Sequence, residues 1–92
     1  FLLPRQATSW NPPAHIDDLG AGELLLLMGD VPPPLLILGT GEAPMHPFFE
    51  LGNALRGHGV AFEVLSTAAA CRTWNVLMSE GRSAAAALVA LP

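Results

Sequence analysis

The clearest pattern of apolar and polar positions begins at residue 35, and from there to the end of the chain it predicts three strands. Residues 35–38 form a continuous apolar run stopped by Gly39, which is typical of a strand covered on both faces. Within residues 60–65, Val60, Phe62 and Val64 alternate with Ala61, Glu63 and Leu65, which predicts a strand. Residues 84–91 are apolar throughout, and the glycine before them and the proline after them favour a buried strand over a helix.

A helix is predicted between the first two of these strands. Pro47 suits its first position, and the helix is expected to end near Gly57 or Gly59. Apolar residues at i, i+3 and i+7 share one helical face. The residues at these positions are Phe48, Leu51 and Leu55.

A second helix is predicted between the second and third strands. Ser66 or Thr67 can cap its amino-terminus, and Gly81 can end it. Its predicted core face consists of Ala70, Trp74, Leu77 and Met78.

The pattern in the first third of the chain leaves two interpretations open. The first three residues could form a short strand, and residues 5–15 are expected to be a loop because prolines disfavour regular pairing there. A short helix capped by Asp17 or Asp18 and ended by Gly29 fits the next stretch. Residues 24–27 could equally form a strand.

Strands alternating with helices at this spacing predict an α/β fold. We expect one compact domain over residues 1–92, with helices packed on a central, mostly parallel mixed sheet and right-handed crossovers. Because the chain opens inside an apolar run without an initiator methionine, we also expect that amino-terminal residues are missing.

Composition narrows the classes of function. Apolar residues make up 51% of the chain and charged residues 13%, which argues against disorder and suggests a core shared with missing residues or a partner. A net charge of -4, with four scattered arginines and no lysine, argues against nucleic-acid binding. A single cysteine excludes an internal disulfide, and no apolar run approaches the roughly 20 residues of a transmembrane helix.

Candidate chemistry lies beyond the carboxyl ends of the predicted strands, where α/β sheets bind ligands. If the strands at residues 35–38 and 60–65 are neighbours, hydroxyls, helix amides and a guanidinium converge and could hold a carboxylate or phosphate. Tight turns and helix capping explain the same residue types equally well. A dinucleotide motif is not expected, because Pro44 stands where its third glycine would fall. The candidate residues are Gly39, Thr40, Gly41, Ser66, Thr67, Cys71, Arg72 and Asn75.

Two of these candidates carry alternatives of their own. Cys71 lies in the first turns of a helix beside Arg72, which favours a thiolate, but its spacing to Trp74 also fits a buried structural cysteine. Asn75 could reach the crevice or simply be an exposed helix residue.

The spacing of the other titratable residues does not indicate a catalytic or metal site. Glu42, His46 and Glu50 fall at i, i+4 and i+8, but prolines interrupt that face. Motifs such as HExxH and GxSxG are missing from the sequence, and we expect no cofactor.

Four segments of the sequence together resemble a known family. They are LLILGTG at residues 35–41, GVAFEVLST at 59–67, AACRTWNVL at 69–77 and SEGR at 79–82. The chain is similar, from about Trp10 to Leu91, to the family of mitochondrial respiratory complex I assembly factor three and its bacterial and archaeal relatives. One departure is Trp74, where the bacterial pattern commonly has tyrosine.

This resemblance implies a compact α/β domain and a non-enzymatic role. Mitochondrial members help to assemble complex I together with a partner assembly factor, and the family has no established catalytic residues to carry over. We therefore expect an interaction module that binds respiratory assembly proteins or itself, through an exposed Phe49 or Trp10. The alternative is a small-anion or thiol-dependent binding protein that uses the crevice.

The composition also suggests where the protein is located. The lack of lysine and the Arg, Ala, Leu and Pro bias suggest a GC-rich bacterial genome, hence the cytoplasm. In a eukaryote, the resemblance implies the matrix side of the mitochondrion.

Overall fold

The computed structural model describes residues 1–4, 6–7, 9–10, 20–41 and 49–89, with only the backbone of Gln6 and Phe49. In chain order its elements are β1 (Leu2–Leu3), β2 (Gln6–Ala7), α1 (Ala21–Met28), β3 (Leu35–Gly39), α2 (Phe49–Arg56), β4 (Ala61–Leu65), α3 (Thr67–Ser79) and β5 (Ala85–Leu88).

The strands form one mixed sheet in the order β2-β1-β5-β3-β4. The central strand β3 pairs in parallel with β4 on one side and with β5 on the other. Antiparallel pairing occurs where β1 meets β5 and β2. The longest pairings are therefore parallel, which confirms the predicted α/β fold with a mostly parallel mixed sheet.

Strand β3 is the centre of the core because both of its faces are covered. Leu36, Ile37 and Leu38 have no exposed surface. Leu36 and Leu38 belong to one apolar cluster, and Ile37 belongs to the other, as the alternation of side chains along a strand requires. The continuous apolar run is thus a strand covered on both faces, as predicted from the sequence.

The helices cover opposite faces of the sheet. Leu24 of α1 and Leu55 of α2 pack with Leu36 and Leu38 on one face. On the other face Ala70, Leu77 and the partly buried Trp74 of α3 pack with Ile37. The reason is topological, since α2 and α3 connect strands in opposite directions across the sheet and right-handed crossovers then place them on opposite sides.

The ends of α3 and of α1 are set by single residues. The side chain of Ser66 accepts a hydrogen bond from the amide of Ala69, which confirms the predicted cap of α3. Gly81, with φ of +70°, follows the end of that helix as predicted. Gly29, with φ of +87°, ends α1 and donates its amide to Leu25 O at 3.2 Å.

The structure decides between the two interpretations of the stretch before β3. Residues 24–27 are helical, so the strand alternative is wrong. The helix begins at Ala21 rather than after Asp17 or Asp18, because Gly20 is extended at φ -103° and ψ 151°. Both aspartates lie outside the described residues.

Other boundaries differ from the predicted ones for local reasons. Part of the predicted loop 5–15 is strand β2, which pairs with β1 as Leu2 with Ala7. Strand β4 begins at Ala61 rather than at Val60, because the Val60 amide bonds to Leu55 O in the turn after α2. The part of α2 described begins at Phe49, so Pro47 is not tested. Strand β5 covers Ala85–Leu88, so it is shorter than the predicted strand over residues 84–91.

Gly39 permits the close approach of α3 to the sheet, and alanine there is expected to destabilise the fold. A Cβ atom at Gly39 would lie 3.0 Å from the Thr67 Cα and from the Leu88 Cδ2, and 3.2 Å from the Ala70 Cβ. Because one of these atoms is backbone, α3 would have to move, at a cost of about 1–2 kcal/mol. The measurement is urea-induced unfolding of Gly39→Ala followed by circular dichroism.

Gly22→Ala is the matched control for this prediction. Apart from its own helix backbone and chain neighbours, no atom of the described residues lies within 4 Å of the Cβ position at Gly22, which is inside α1. Alanine should there raise the unfolding free energy by up to ~1 kcal/mol through helix propensity. Equal effects of the two substitutions would contradict the close packing at Gly39.

Candidate functional site at the carboxyl ends of the parallel strands

The two loops that carry most of the candidate residues lie side by side. The register pairs Gly39 of β3 with Leu65 of β4 and with Leu88 of β5, so the three strands end together. The sequence analysis required the strands before these two loops to be neighbours, and β3 and β4 do pair with each other.

Backbone hydrogen bonds join these strand ends beyond the last paired residues. The Thr40 amide donates to Leu65 O at 3.0 Å, and the Val89 amide donates to Gly39 O at 2.8 Å. The Thr67 amide, at the start of α3, donates to Gly41 O at 2.8 Å. At this edge, where a ligand crevice was expected, these backbone groups are therefore bonded to one another.

The Thr67 hydroxyl links all three strand ends. Its Oγ1 accepts from the Gly41 amide at 2.8 Å and donates to Val89 O at 2.6 Å. The residue is only 8% exposed. Because both hydrogen bonds go to the backbone, the hydroxyl serves to hold the loops after β3 and β5 against α3.

The other two hydroxyls of the predicted set also bond within the chain. Ser66 Oγ accepts from the Ala69 amide at 3.2 Å, and Thr40 Oγ1 donates to Leu65 O at 3.3 Å. The sequence left two roles open for these hydroxyls, namely ligand binding or helix capping and turn formation. The observed hydrogen bonds are those of capping and turn formation.

The remaining candidates lie on α3 and differ in exposure. Cys71 is half-buried, and it lies between the fully buried Ala70 and the exposed Arg72. Asn75 is exposed as well. The structure thus brings the two loops together and places these three residues on the adjoining helix α3. Neither ligand binding nor thiol reactivity is tested by this placement.

The described part of the chain holds no other polar cluster that would make a site. Within it, every buried side-chain nitrogen or oxygen has a hydrogen-bond partner, and no three His, Cys, Asp or Glu residues are placed to hold a metal ion. Glu50 is exposed in the first turn of α2, whereas Glu42 and His46 lie outside the described residues.

The predicted interaction residues need one correction. Trp10 is partly buried against the core, and its indole N–H donates to Leu88 O at 3.0 Å, so the prediction of an exposed Trp10 is wrong. The side chain of Phe49 lies outside the described residues. Among the described residues, the large apolar side chains that are exposed are instead Leu26, Val31 and Val76.

A signal for Leu26 was present in the sequence. Four consecutive leucines in a helix turn through about 100° each, so they cannot all face one core. The observed exposure follows this rule, since Leu24 is fully buried and Leu26 is 84% exposed.

None of the helices within the described ranges is long and apolar enough to cross a lipid bilayer. The longest, α3, has 13 residues.

Comparison with known proteins identifies relatives along nearly the whole chain. The chain is 36% identical over 93 residues to NADH dehydrogenase [ubiquinone] 1 alpha subcomplex assembly factor 3 of Mus musculus, covering 99% of this chain and 49% of the mouse protein. It is 43% identical over 81 residues to an uncharacterised protein of Rhodobacter capsulatus, covering 88% of this chain and 62% of that one.

A solved structure shows the same fold. A crystal structure of a Bordetella parapertussis protein superposes with a TM-score of 0.81 and 33% identity, covering 95% of this chain and 74% of that chain. The chain spans about half the length of the mouse relative.

Residues 1–89 match the family described as protein of unknown function (DUF498/DUF598). The resemblance seen in the sequence is confirmed, since relatives named as complex I assembly factor 3 in Mus musculus and Homo sapiens are 36% and 33% identical to the chain over 99% of its length. The chain belongs to the DUF498/DUF598 family.

Proposed function

We propose that this protein is a non-enzymatic assembly factor that binds components of respiratory complex I. One observation carries the proposal: a protein named as a complex I assembly factor is 36% identical to the chain across 99% of its length. The proposal concerns the whole protein. The mouse relative is about twice as long as the chain described here, which covers 49% of it.

The polar contacts at the strand ends support a binding role over a catalytic one. A catalytic site needs side chains that are positioned but still available to a substrate. Here the Thr67 and Ser66 hydroxyls are bonded to the chain's own backbone. Large apolar side chains are meanwhile exposed on the helices, and such groups contribute to protein interfaces when they cluster.

The anion- or thiol-binding alternative has no observation in its favour and stays a prediction. Its remaining available groups are the half-buried Cys71 and the exposed Arg72 and Asn75. A reactive thiol would require Cys71 to be alkylated rapidly in the folded protein.

The proposed partners are respiratory assembly proteins, with a second copy of the chain as the other candidate. The location proposed for a bacterial protein is the cytoplasm, and for a eukaryotic one the matrix side of the mitochondrion.

Affinity purification of the tagged full-length protein from its own cells tests this proposal. Membrane and cytosolic fractions are purified in parallel, and bound proteins are identified by mass spectrometry. We expect complex I subunits or assembly proteins to be enriched over a purification with an unrelated tagged protein. Recovery of the protein without any respiratory partner would contradict the proposal.

A further inference from the structure

Three consecutive prolines lie in the connector between α1 and the central strand β3. They are Pro32, Pro33 and Pro34, and β3 begins directly after them at Leu35. The bond that precedes a proline can be cis or trans, and uncatalysed exchange between the two forms takes about 10–100 s at 25 °C. The connector therefore contains three bonds whose isomerisation is slow enough to delay folding.

The connector is anchored in the core on both sides. Met28, the last residue of α1, is 5% exposed, Leu36 of β3 has no exposed surface, and both belong to the same apolar cluster. Between them Pro33 is buried, and Pro34 O accepts a hydrogen bond from the Ala61 amide at 2.8 Å. A change of isomer alters the distance between neighbouring Cα atoms, which is ~3.8 Å across a trans bond and ~2.9 Å across a cis bond, and redirects the chain. A non-native isomer is therefore incompatible with both anchors at once.

A displaced β3 would affect the whole parallel part of the sheet, because β4 and β5 both pair with this strand. In unfolded chains about 10–30% of the bonds before proline are cis. With three such bonds in a row, about a quarter or more of the unfolded molecules hold a non-native isomer in the connector. These molecules cannot complete the sheet until that bond has isomerised.

We propose that isomerisation in the connector Pro32–Pro34 limits the rate at which the central sheet forms, and that the folding protein is a substrate of a peptidyl-prolyl isomerase. Synthesis of residues 35–92 takes about 3–12 s at ordinary rates of translation, which is shorter than most of the range for uncatalysed isomerisation. An isomerase shortens the time for which the apolar residues of β3 stay exposed. The proposal concerns folding and is independent of the assembly role.

Double-jump refolding of the full-length protein tests whether isomerisation is the slow step. The protein is unfolded in concentrated urea for about 5 s or for about 30 min, then refolded by dilution and followed by far-ultraviolet circular dichroism. We expect a slow refolding phase of about 10–100 s after the long delay and its loss after the short one, because the bonds equilibrate only during the long delay. Cyclophilin, a peptidyl-prolyl isomerase, should accelerate this phase.

Proline variants locate the bonds responsible. The double variant Pro32→Ala with Pro34→Ala leaves the buried Pro33 in place and should move about 20–50% of the molecules from the slow phase to the fast phase. Pro4→Ala is the matched control, since Pro4 is exposed in the turn between the two-residue strands β1 and β2 and should leave the slow phase unchanged.

Pulsed hydrogen exchange during refolding of the wild type adds a local measurement that needs no variant. The Ala61 amide should gain protection with the rate of the slow phase in the slowly folding molecules, because its acceptor is Pro34 O.

Four results would overturn the proposal. They are a slow phase unchanged in the variant with both alanines, an equal slow phase after the short delay, protection of the Ala61 amide that is complete before the slow phase, and a slow phase on which cyclophilin has no effect. The assembly role is tested separately by co-purification, so failure of either proposal leaves the other in place.

Discussion

Leu38→Ala is expected to lower the free energy of unfolding by about 2–5 kcal/mol. Leu38 lies in the central strand with no exposed surface, and its register neighbours are Val64 and Ala87. Hydrogen bonds to strands on both sides hold the backbone in place, and Ala87 is too small to fill the space. A small domain has a total stability of about 5–15 kcal/mol, so this loss should be plain in urea-induced unfolding.

Leu26→Ala is the matched control for the core prediction. It removes the same atoms from a side chain that is 84% exposed, and its effect should stay within ~0.5 kcal/mol. Similar losses at both positions would show that β3 is not the centre of the core.

Thr67→Val is expected to lower the free energy of unfolding by about 2–3 kcal/mol, because two buried or partly buried backbone groups lose their partner. Valine keeps the shape of threonine and removes only the hydroxyl. The Gly41 amide, 2.8 Å from that hydroxyl, and Val89 O, 2.6 Å from it, would then have no side-chain partner. Faster hydrogen exchange at the Gly41 amide should accompany the loss.

Thr67→Ser separates the hydroxyl from the rest of the side chain. Serine keeps both hydrogen bonds available, so this variant should retain slow exchange at the Gly41 amide and lose less stability than the valine variant. If Thr67→Val were as stable as the wild type, the hydroxyl would not be a structural link, and the ligand-binding interpretation of this loop would regain support.

The central layer of the fold could be predicted from local pattern alone. The run before Gly39 predicts a strand buried on both faces, because only such a strand tolerates an unbroken apolar sequence. Ser66 predicts a helix start because its short side chain can accept from an amide three residues on. These signals are local, and the structure contains the same elements.

What could not be predicted depends on residues far apart in the chain. Strand β2 has two residues and exists through pairing with β1, so no periodicity marks it. Trp10 is held by a hydrogen bond to Leu88 O, 78 residues away. The direction in which each exposed leucine points depends on how α1 docks.

The candidate site shows the same division between local and distant information. From the sequence, Gly39–Gly41 and Ser66–Thr67 were correctly predicted to lie at one edge of the sheet, because neighbouring parallel strands end on the same side. It left open what the Thr67 hydroxyl bonds to, since its partners are 26 and 22 residues away and follow the ends of two other strands.

The most direct test of the assembly role is the amount of intact complex I in membranes of cells that lack this protein, measured by native gel electrophoresis. We predict a loss of assembled complex I that is restored by the wild-type gene and equally by the Cys71→Ser gene, because the proposed role needs no thiol. Normal levels of complex I in the deleted cells would contradict the assembly role. Restoration by the wild type but not by Cys71→Ser, with both proteins equally abundant, would point instead to the thiol-dependent alternative.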